Sequence, residues 1–203
     1  MSADIILVRH GQTRSNVTRY YMGCSSEDLD AEGLNQAKQV SARLENSSIA
    51  AIYCSPLPRA LTTAREIARP HNLEIKVLND LTEIGLGEWQ GLHVAEIERR
   101  WPELWHQWRT DPSQMAIPGG ETFSHIYERV SRALKTVISE GSETLSAVVS
   151  HEIVIKLAIM QILGAPHNIY RRFVIGNASL SRIRIRGERQ RVITVNDTSH
   201  LEG

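Results

Sequence analysis

Two histidines of this 203-residue chain each close a short apolar run: His10 in "ILVRHGQTRSN" and His151 in "AVVSHE". His10 is preceded by Arg9, and a second arginine, Arg59, stands behind Pro58 in "SPLPRALTTA". There the backbone donors of a starting helix already favour an anion. A carboxylate, Glu83, sits in the glycine-broken stretch "LTEIGLGEWQG". Two arginines, two histidines and one carboxylate make a set suited to phosphoryl transfer. Guanidinium groups fork onto phosphate oxygens, and a protonated His151 would add a third cationic donor. A neutral His10 nitrogen can attack phosphorus in line and form a phosphohistidine. A carboxyl group of raised pKa, Glu83, can protonate the leaving alcohol and later take a proton from water. Thr13 and Asn16, in the stretch after His10, can exchange hydrogen bonds with a bound oxyanion. A zinc site on His10, His151 and Glu83 is the competing reading, and the flanking arginines argue against a metal cation there.

These residues need elements that bring them together. The runs at 4–8, 50–55, 73–78 and 145–150 are compact, apolar and bounded by turn residues, so they read as strands. The segments 33–46, 59–68, 123–140 and 153–164 carry helical spacing, and Gly164 and Pro166 end the last of them. Strands alternating with helices predict an α/β fold: a three-layer, mainly parallel open sheet flanked by helices. In such sheets ligands sit beyond the carboxyl ends of strands, where both histidines fall. The run at 179–195 sets Ile183 and Ile185 against Arg182, Arg184 and Arg186 and predicts a hairpin turning at "RGER".

At 203 residues with 41% hydrophobic content, one domain spanning 1–203 with a full core is expected. A formal net charge of +0 argues against a protein built to attract nucleic acid or acidic lipid. Cys24 and Cys54 offer neither a disulfide framework nor CxxC spacing, and no run is long and apolar enough for a bilayer. The expectation is a cytoplasmic protein with no nucleic-acid or membrane partner and room for a homodimer.

The ordered set "LVRHGQTRSN", "SPLPRALTTA", "TEIGLGEWQG", "PGGETF" and "VVSHE" resembles the histidine phosphatase superfamily, in its phosphoglycerate-mutase-like branch. The resemblance implies His10 as the phosphorylated nucleophile and Glu83 as proton donor and acceptor. It implies Arg9, Arg59 and His151 on the phosphate, with Gly11, Thr13, Asn16, Gly23 and Glu152 lining the substrate pocket. It also implies neither metal nor organic cofactor. The expected activity is hydrolysis of a small-molecule phosphate monoester. The alternatives are a phosphoglycerate mutase, or a phosphate-binding regulatory protein of reduced turnover. Three details depart from the family pattern. Many relatives carry glycine where this chain has Glu152, whose carboxylate would repel phosphate if it turned inward but would be harmless if only its backbone N–H faced the site. Mutases carry a longer insertion and an "ERxYG"-like segment in place of "EIGLGEWQG". Phosphoserine-specific relatives tend to have histidine where this chain has Leu86.

A small helical cap inserted at about 86–122 is expected to choose the leaving group. Trp101, Trp105 and Trp108 share one helical face, and Pro102 suits a helix start. They read as a seam docking the cap on the sheet, or as a wall beside the substrate. "DPSQMAIPGGETF" reads as a hinge before a helix that Thr122 or Ser124 would cap. The remaining histidines, at positions 71, 93, 106, 125, 167 and 200, read as surface or capping residues.

Overall fold

The strand β1 (Ser2–Arg9) shows why the sheet forms where it does. Ile5, Ile6, Leu7 and Val8 are all buried, and successive side chains enter opposite faces of the sheet. Ile5 and Leu7 join one core cluster, and Ile6 and Val8 join the other. A strand apolar on both faces belongs in the middle of a covered sheet. The computed structural model, which describes residues 2–201, puts it there.

The remaining strands are β2 (Tyr20–Tyr21), β3 (Ile49–Cys54), β4 (Ile75–Val77), β5 (Leu92–His93), β6 (Leu145–Ser150), β7 (Leu180–Arg186) and β8 (Arg189–Asp197). The main sheet runs β4-β3-β6-β1-β7-β8. Its first four strands are parallel, and the hairpin β7–β8 adds antiparallel to β1. The short helix α1 (Arg14–Thr18) follows β1, and the helices α2 (Ala31–Leu44) and α3 (Pro58–His71) cover the face that holds Ile6 and Val8. The helices α6 (Phe123–Glu140) and α7 (Glu152–Leu163) cover the face that holds Ile5 and Leu7. The three-layer, mainly parallel α/β sandwich expected from the alternation of elements is the fold observed. No described helix is long and apolar enough to cross a membrane.

Local differences from the sequence reading have physical causes. The helix α2 starts at Ala31, two residues before the expected 33, because the Asp30 side chain accepts from Gly33 N–H at 2.8 Å and caps it. The helix α3 runs to His71 rather than 68, passing through Pro70. Proline cannot donate to the carbonyl of Glu66, four residues back, and the Ser41 hydroxyl of α2 donates there instead, at 2.7 Å. Past the helix end, Leu73 N–H also turns back to Ala68 O at 3.4 Å, and β4 pairs only from Ile75 and not from 73. The hairpin turns at Gly187, with φ +61°. Ile183 and Ile185 point inward, and Arg182, Arg184 and Arg186 gather outside on Asp4 at 3.7, 3.0 and 2.6 Å.

Between β4 and α6 the chain forms a smaller unit. The strand β5 pairs antiparallel with β2, and α4 (Val94–Arg100) and α5 (Pro102–Thr110) follow. Pro102 opens α5, as expected. Trp105 and Trp108 are buried against the wholly buried Trp89, with ring centroids 6.1 and 6.0 Å from it. Trp108 Nε1–H donates to the Tyr21 hydroxyl at 3.2 Å. These tryptophans form a packed seam, and Trp105 and Trp108 also face the cavity. Thr122, rather than Ser124, caps α6 by accepting from His125 N–H at 3.3 Å. His93 similarly caps α4, accepting from Ala95 N–H at 3.1 Å.

Candidate active site

Three adjacent strands, β3, β6 and β1, end side by side and deliver the candidate residues to one rim of the sheet. Arg9 is in register with Ser150, and His10 N–H donates to Ser150 O at 3.0 Å, so β1 and β6 stay locked to the last residue. This lock puts the His10 and His151 rings 5.1 Å apart between centroids. At the end of β3, Ser55 N–H donates to Val149 O at 3.0 Å, and α3 then starts with Pro58 and Arg59. A cavity of about 400 Å³ opens above these ends. Its wall includes Arg9, His10, Arg59, Glu83 and Glu152.

His10 is buried, and its Nδ1 lies 2.7 Å from Gly11 O. A carbonyl can only accept, so Nδ1 carries the proton and Nε2 carries the lone pair. Burial, with Arg9 and Arg59 nearby, holds its pKa well below the usual 6.5 and keeps the ring neutral. His151 is wholly buried, and its Nε2 lies 2.7 Å from Ser55 Oγ. Ser55 Oγ also accepts from Leu57 N–H at 3.3 Å. The His151 Nδ1 has no partner among the described residues. Burial first, then His10 and the arginines, keeps His151 neutral as well, so the protonated form expected from the sequence is not favoured by the protein's own groups.

Arg59 is buried at 4% exposure and reaches back to donate to Gly23 O at 2.6 Å and Ser25 O at 2.9 Å. Gly23 has φ +49°, a conformation that favours glycine, and its turn aims that carbonyl at the guanidinium. Gly11 is required by close approach: a Cβ there would run into the Gly33 carbonyl of α2. Thr13 is buried with its Oγ1 3.0 Å from Ser15 Oγ, and its N–H donates to Asn16 Oδ1 at 3.1 Å. Asn16 Oδ1 also accepts from Asn177 Nδ2 at 2.9 Å, and its own Nδ2 has no partner among the described residues.

Glu83 closes the cavity from the loop after β4. Its Oε1 accepts from Ile84 N–H at 2.9 Å and its Oε2 from Ile153 N–H at 3.4 Å. Desolvation raises its pKa above 4.5, helped by the Glu152 charge and opposed by those amides and Arg59. The loop is held from below by Arg129, whose guanidinium donates to Glu121 Oε1 and Oε2 at 2.7 and 2.8 Å and to Asp80 O and Thr82 O. The Glu121 amide in turn donates to Gly85 O at 2.7 Å. The "PGGETF" stretch, read from sequence as a hinge, is thus tied to the loop that carries Glu83. Glu152 lines the wall with its carboxylate turned to Lys156 Nζ at 2.8 Å and Arg9 Nη1 at 3.5 Å.

Of the candidate residues, Arg9, His10, Thr13, Asn16, Gly23, Arg59, Glu83 and Glu152 line one cavity, while Gly11 and the wholly buried His151 lie outside its wall. Sequence reasoning missed Ser55, Asn177, Arg129 and Arg171. Ser55 stands in the quoted "SPLPR" stretch, so its place at a strand end was a usable signal. Asn177 donates to His10 O at 3.2 Å from a distant loop, and nothing in its neighbourhood announces that. Among the described residues no group of three or more histidines, cysteines or carboxylates is placed to hold a metal ion, so His10, His151 and Glu83 do not form the zinc site weighed above.

Residues 5–198 match the model of the histidine phosphatase superfamily, branch 1. The chain belongs to this family. It is 33% identical over 197 residues to phosphoserine phosphatase 1 of Hydrogenobacter thermophilus, covering 97% of this chain and 93% of that one. It is 31% identical over 180 residues to the adenosylcobalamin/alpha-ribazole phosphatase of Escherichia coli, covering 88% of each. Among solved structures, Bacillus stearothermophilus YhfR superposes with a TM-score of 0.94 at 28% identity, over 98% of this chain and 100% of that one.

Proposed function

We propose that this histidine phosphatase superfamily member hydrolyses a small-molecule phosphate monoester through a phosphohistidine on His10, with no metal or organic cofactor. The observation that carries the reading is the His10 tautomer: Nδ1–H is committed to Gly11 O, which leaves a neutral, unprotonated Nε2 beside two guanidinium groups. Phosphatases among its relatives support the reaction class.

In the first step the Nε2 lone pair forms the N–P bond as the ester P–O bond breaks. Glu83, which burial keeps towards its protonated form, gives its proton to the departing alkoxide. Water then attacks phosphorus, the N–P bond breaks back onto Nε2, and Glu83 takes the water proton. Arg9 and Arg59 bind oxygens that remain on phosphorus throughout. Asn16 on the cavity wall supplies a further donor, and a bound phosphate dianion would draw a proton onto His151, whose Nδ1 has no partner among the described residues. Gly11, Thr13 and Gly23 act through the backbone turns and hydrogen bonds that shape this pocket, and Glu152 forms part of its wall. The same reading treats residues 86–122 as a cap on a single domain, and places the enzyme in the cytoplasm without a nucleic-acid partner.

The test is chemical. Acid-quenched enzyme exposed to a labelled ester should carry acid-labile, base-stable label, and His10→Ala should lose both label and turnover. Label on serine or a carboxylate would overturn the assignment. Isomer exchange of phosphoglycerate without phosphate release would favour a mutase.

A further inference from the structure

Lys156 is a lysine without a place in that chemistry. It sits on α7 at 3% exposure, with its ammonium 4.9 Å from the centre of the Tyr170 ring and 5.9 Å from that of Phe173. A buried ammonium needs a counter-charge, and Glu152, one helical turn back, provides it at 2.8 Å. The other Glu152 oxygen faces Arg9 Nη1 at 3.5 Å, beyond hydrogen-bond length, while Arg9 Nη1 donates to Ile175 O at 2.6 Å. The Arg9 Nε has no partner among the described residues. The Glu152 side chain keeps 33% of its surface exposed, lines the cavity, and is free to move if released.

We infer that Lys156 is a positioning residue for phosphate binding: its ammonium holds the Glu152 carboxylate off Arg9, so that this guanidinium is left for the ester. The inference rests on the phosphate site proposed above. Without Lys156, the charges facing Glu152 would be Arg9 and Arg171, with the Glu83 carboxyl opposing it from the neighbouring loop. Arg171 is already committed to Trp108 O, through Nε and Nη2 at 3.0 and 2.9 Å. The carboxylate would then close on Arg9 and compete with phosphate for it. Burial alone would raise the Glu152 pKa, and with Lys156 gone the charges of Arg9 and Arg171 remain to hold it down. A carboxylate in this position is tolerable beside a phosphate site because the same helix carries its partner four residues on.

The experiment compares parent, Lys156→Met and Lys156→Met/Glu152→Gln by inhibition with inorganic phosphate and by KM and kcat on p-nitrophenyl phosphate. Lys156→Met keeps the length and the apolar stem. It should weaken phosphate binding by about tenfold and raise KM in parallel, the scale of one uncompensated charge at a partly buried site, with a smaller change in kcat. The double variant should recover phosphate affinity to within about twofold of the parent, because no carboxylate remains to compete. Parental affinity in Lys156→Met, or a double variant as weak as the single one, would overturn the inference. If Lys156→Met fails to fold, Glu152→Gln decides: phosphate bound at least as tightly as in the parent supports the inference, and weaker binding would show that Glu152 seats Arg9. A parent that phosphate does not inhibit and a His10→Ala variant that still turns over would overturn the phosphate site itself, and this inference with it.

Discussion

Placing two neutral imidazoles under a sheet rim among arginines makes the protein acid-sensitive by a predictable amount. His10 and His151 are 4% and 0% exposed, and both have pKa values held well below 6.5 by burial and neighbouring cations. In the unfolded chain each titrates near 6.5. Below that pH the unfolded state binds protons the folded state refuses, so this part of the stability is fully present above 6.5 and is lost as pH falls towards the folded values. Between pH 7.5 and 5.5 each histidine that stays neutral in the fold costs about 1.4 kcal/mol, and the pair about 2.7 kcal/mol. That is a sizeable share of a typical domain stability of about 5–15 kcal/mol. Two other groups with shifted pKa values contribute to the pH dependence. Glu83, with its raised pKa, works in the opposite sense and loses stability as pH rises, while the depressed His200 adds to the histidine effect. The measurement must therefore be a difference. Urea unfolding of the parent, His10→Gln, His151→Gln and the double variant at pH 5.5 and 7.5 isolates the pair. Each single variant should remove about half of the pair's pH dependence, and the double variant nearly all of it. Saturating vanadate, an oxyanion able to share the His151 proton, should flatten the parent's profile in the same range. A double variant whose stability still falls as steeply as the parent's between those pH values would refute the reasoning.

Glu83→Gln should slow hydrolysis of an alkyl phosphate ester by about 10²–10⁴-fold, the range of general acid catalysis, and slow nitrophenol release from p-nitrophenyl phosphate much less. Stopped-flow should show an early burst of nitrophenol, because phosphohistidine still needs a base for water attack, and equal impairment on both esters without a burst would leave Glu83 a structural role only. Gly11→Ala should destabilise the fold by about 1–3 kcal/mol in urea unfolding, since its Cβ meets the rigid Gly33 carbonyl of α2, and parental stability would show that the loop and helix can move apart.

The chemistry of this site was legible in the sequence because it depends on residue types at strand ends. An apolar run that stops at Arg9-His10, another at His151, and a proline-started helix with Arg59 give local signals of period and punctuation. Those signals also sufficed for the layers of the fold. Ile5 to Val8 is buried on both faces, and this could be read from four consecutive apolar residues. The implied pocket residues were less local, and their places were carried by the family motifs.

Tertiary structure alone decided what those groups are bonded to. That His10 gives Nδ1–H to Gly11 O is a matter of ring rotation. That Ser55 rather than a carboxylate holds His151 depends on β3 and β6 lying side by side. Arg129, far along the chain in α6, supports the Glu83 loop through backbone carbonyls, which every residue type offers equally. The two possible orientations of Glu152 were separated by Lys156, one helical turn away in sequence but oriented by burial against Tyr170 and Phe173. Residue types fix which groups can ionise, donate or attack. Hydrogen-bond partners and desolvation, which come from elements distant in sequence, fix which of them do.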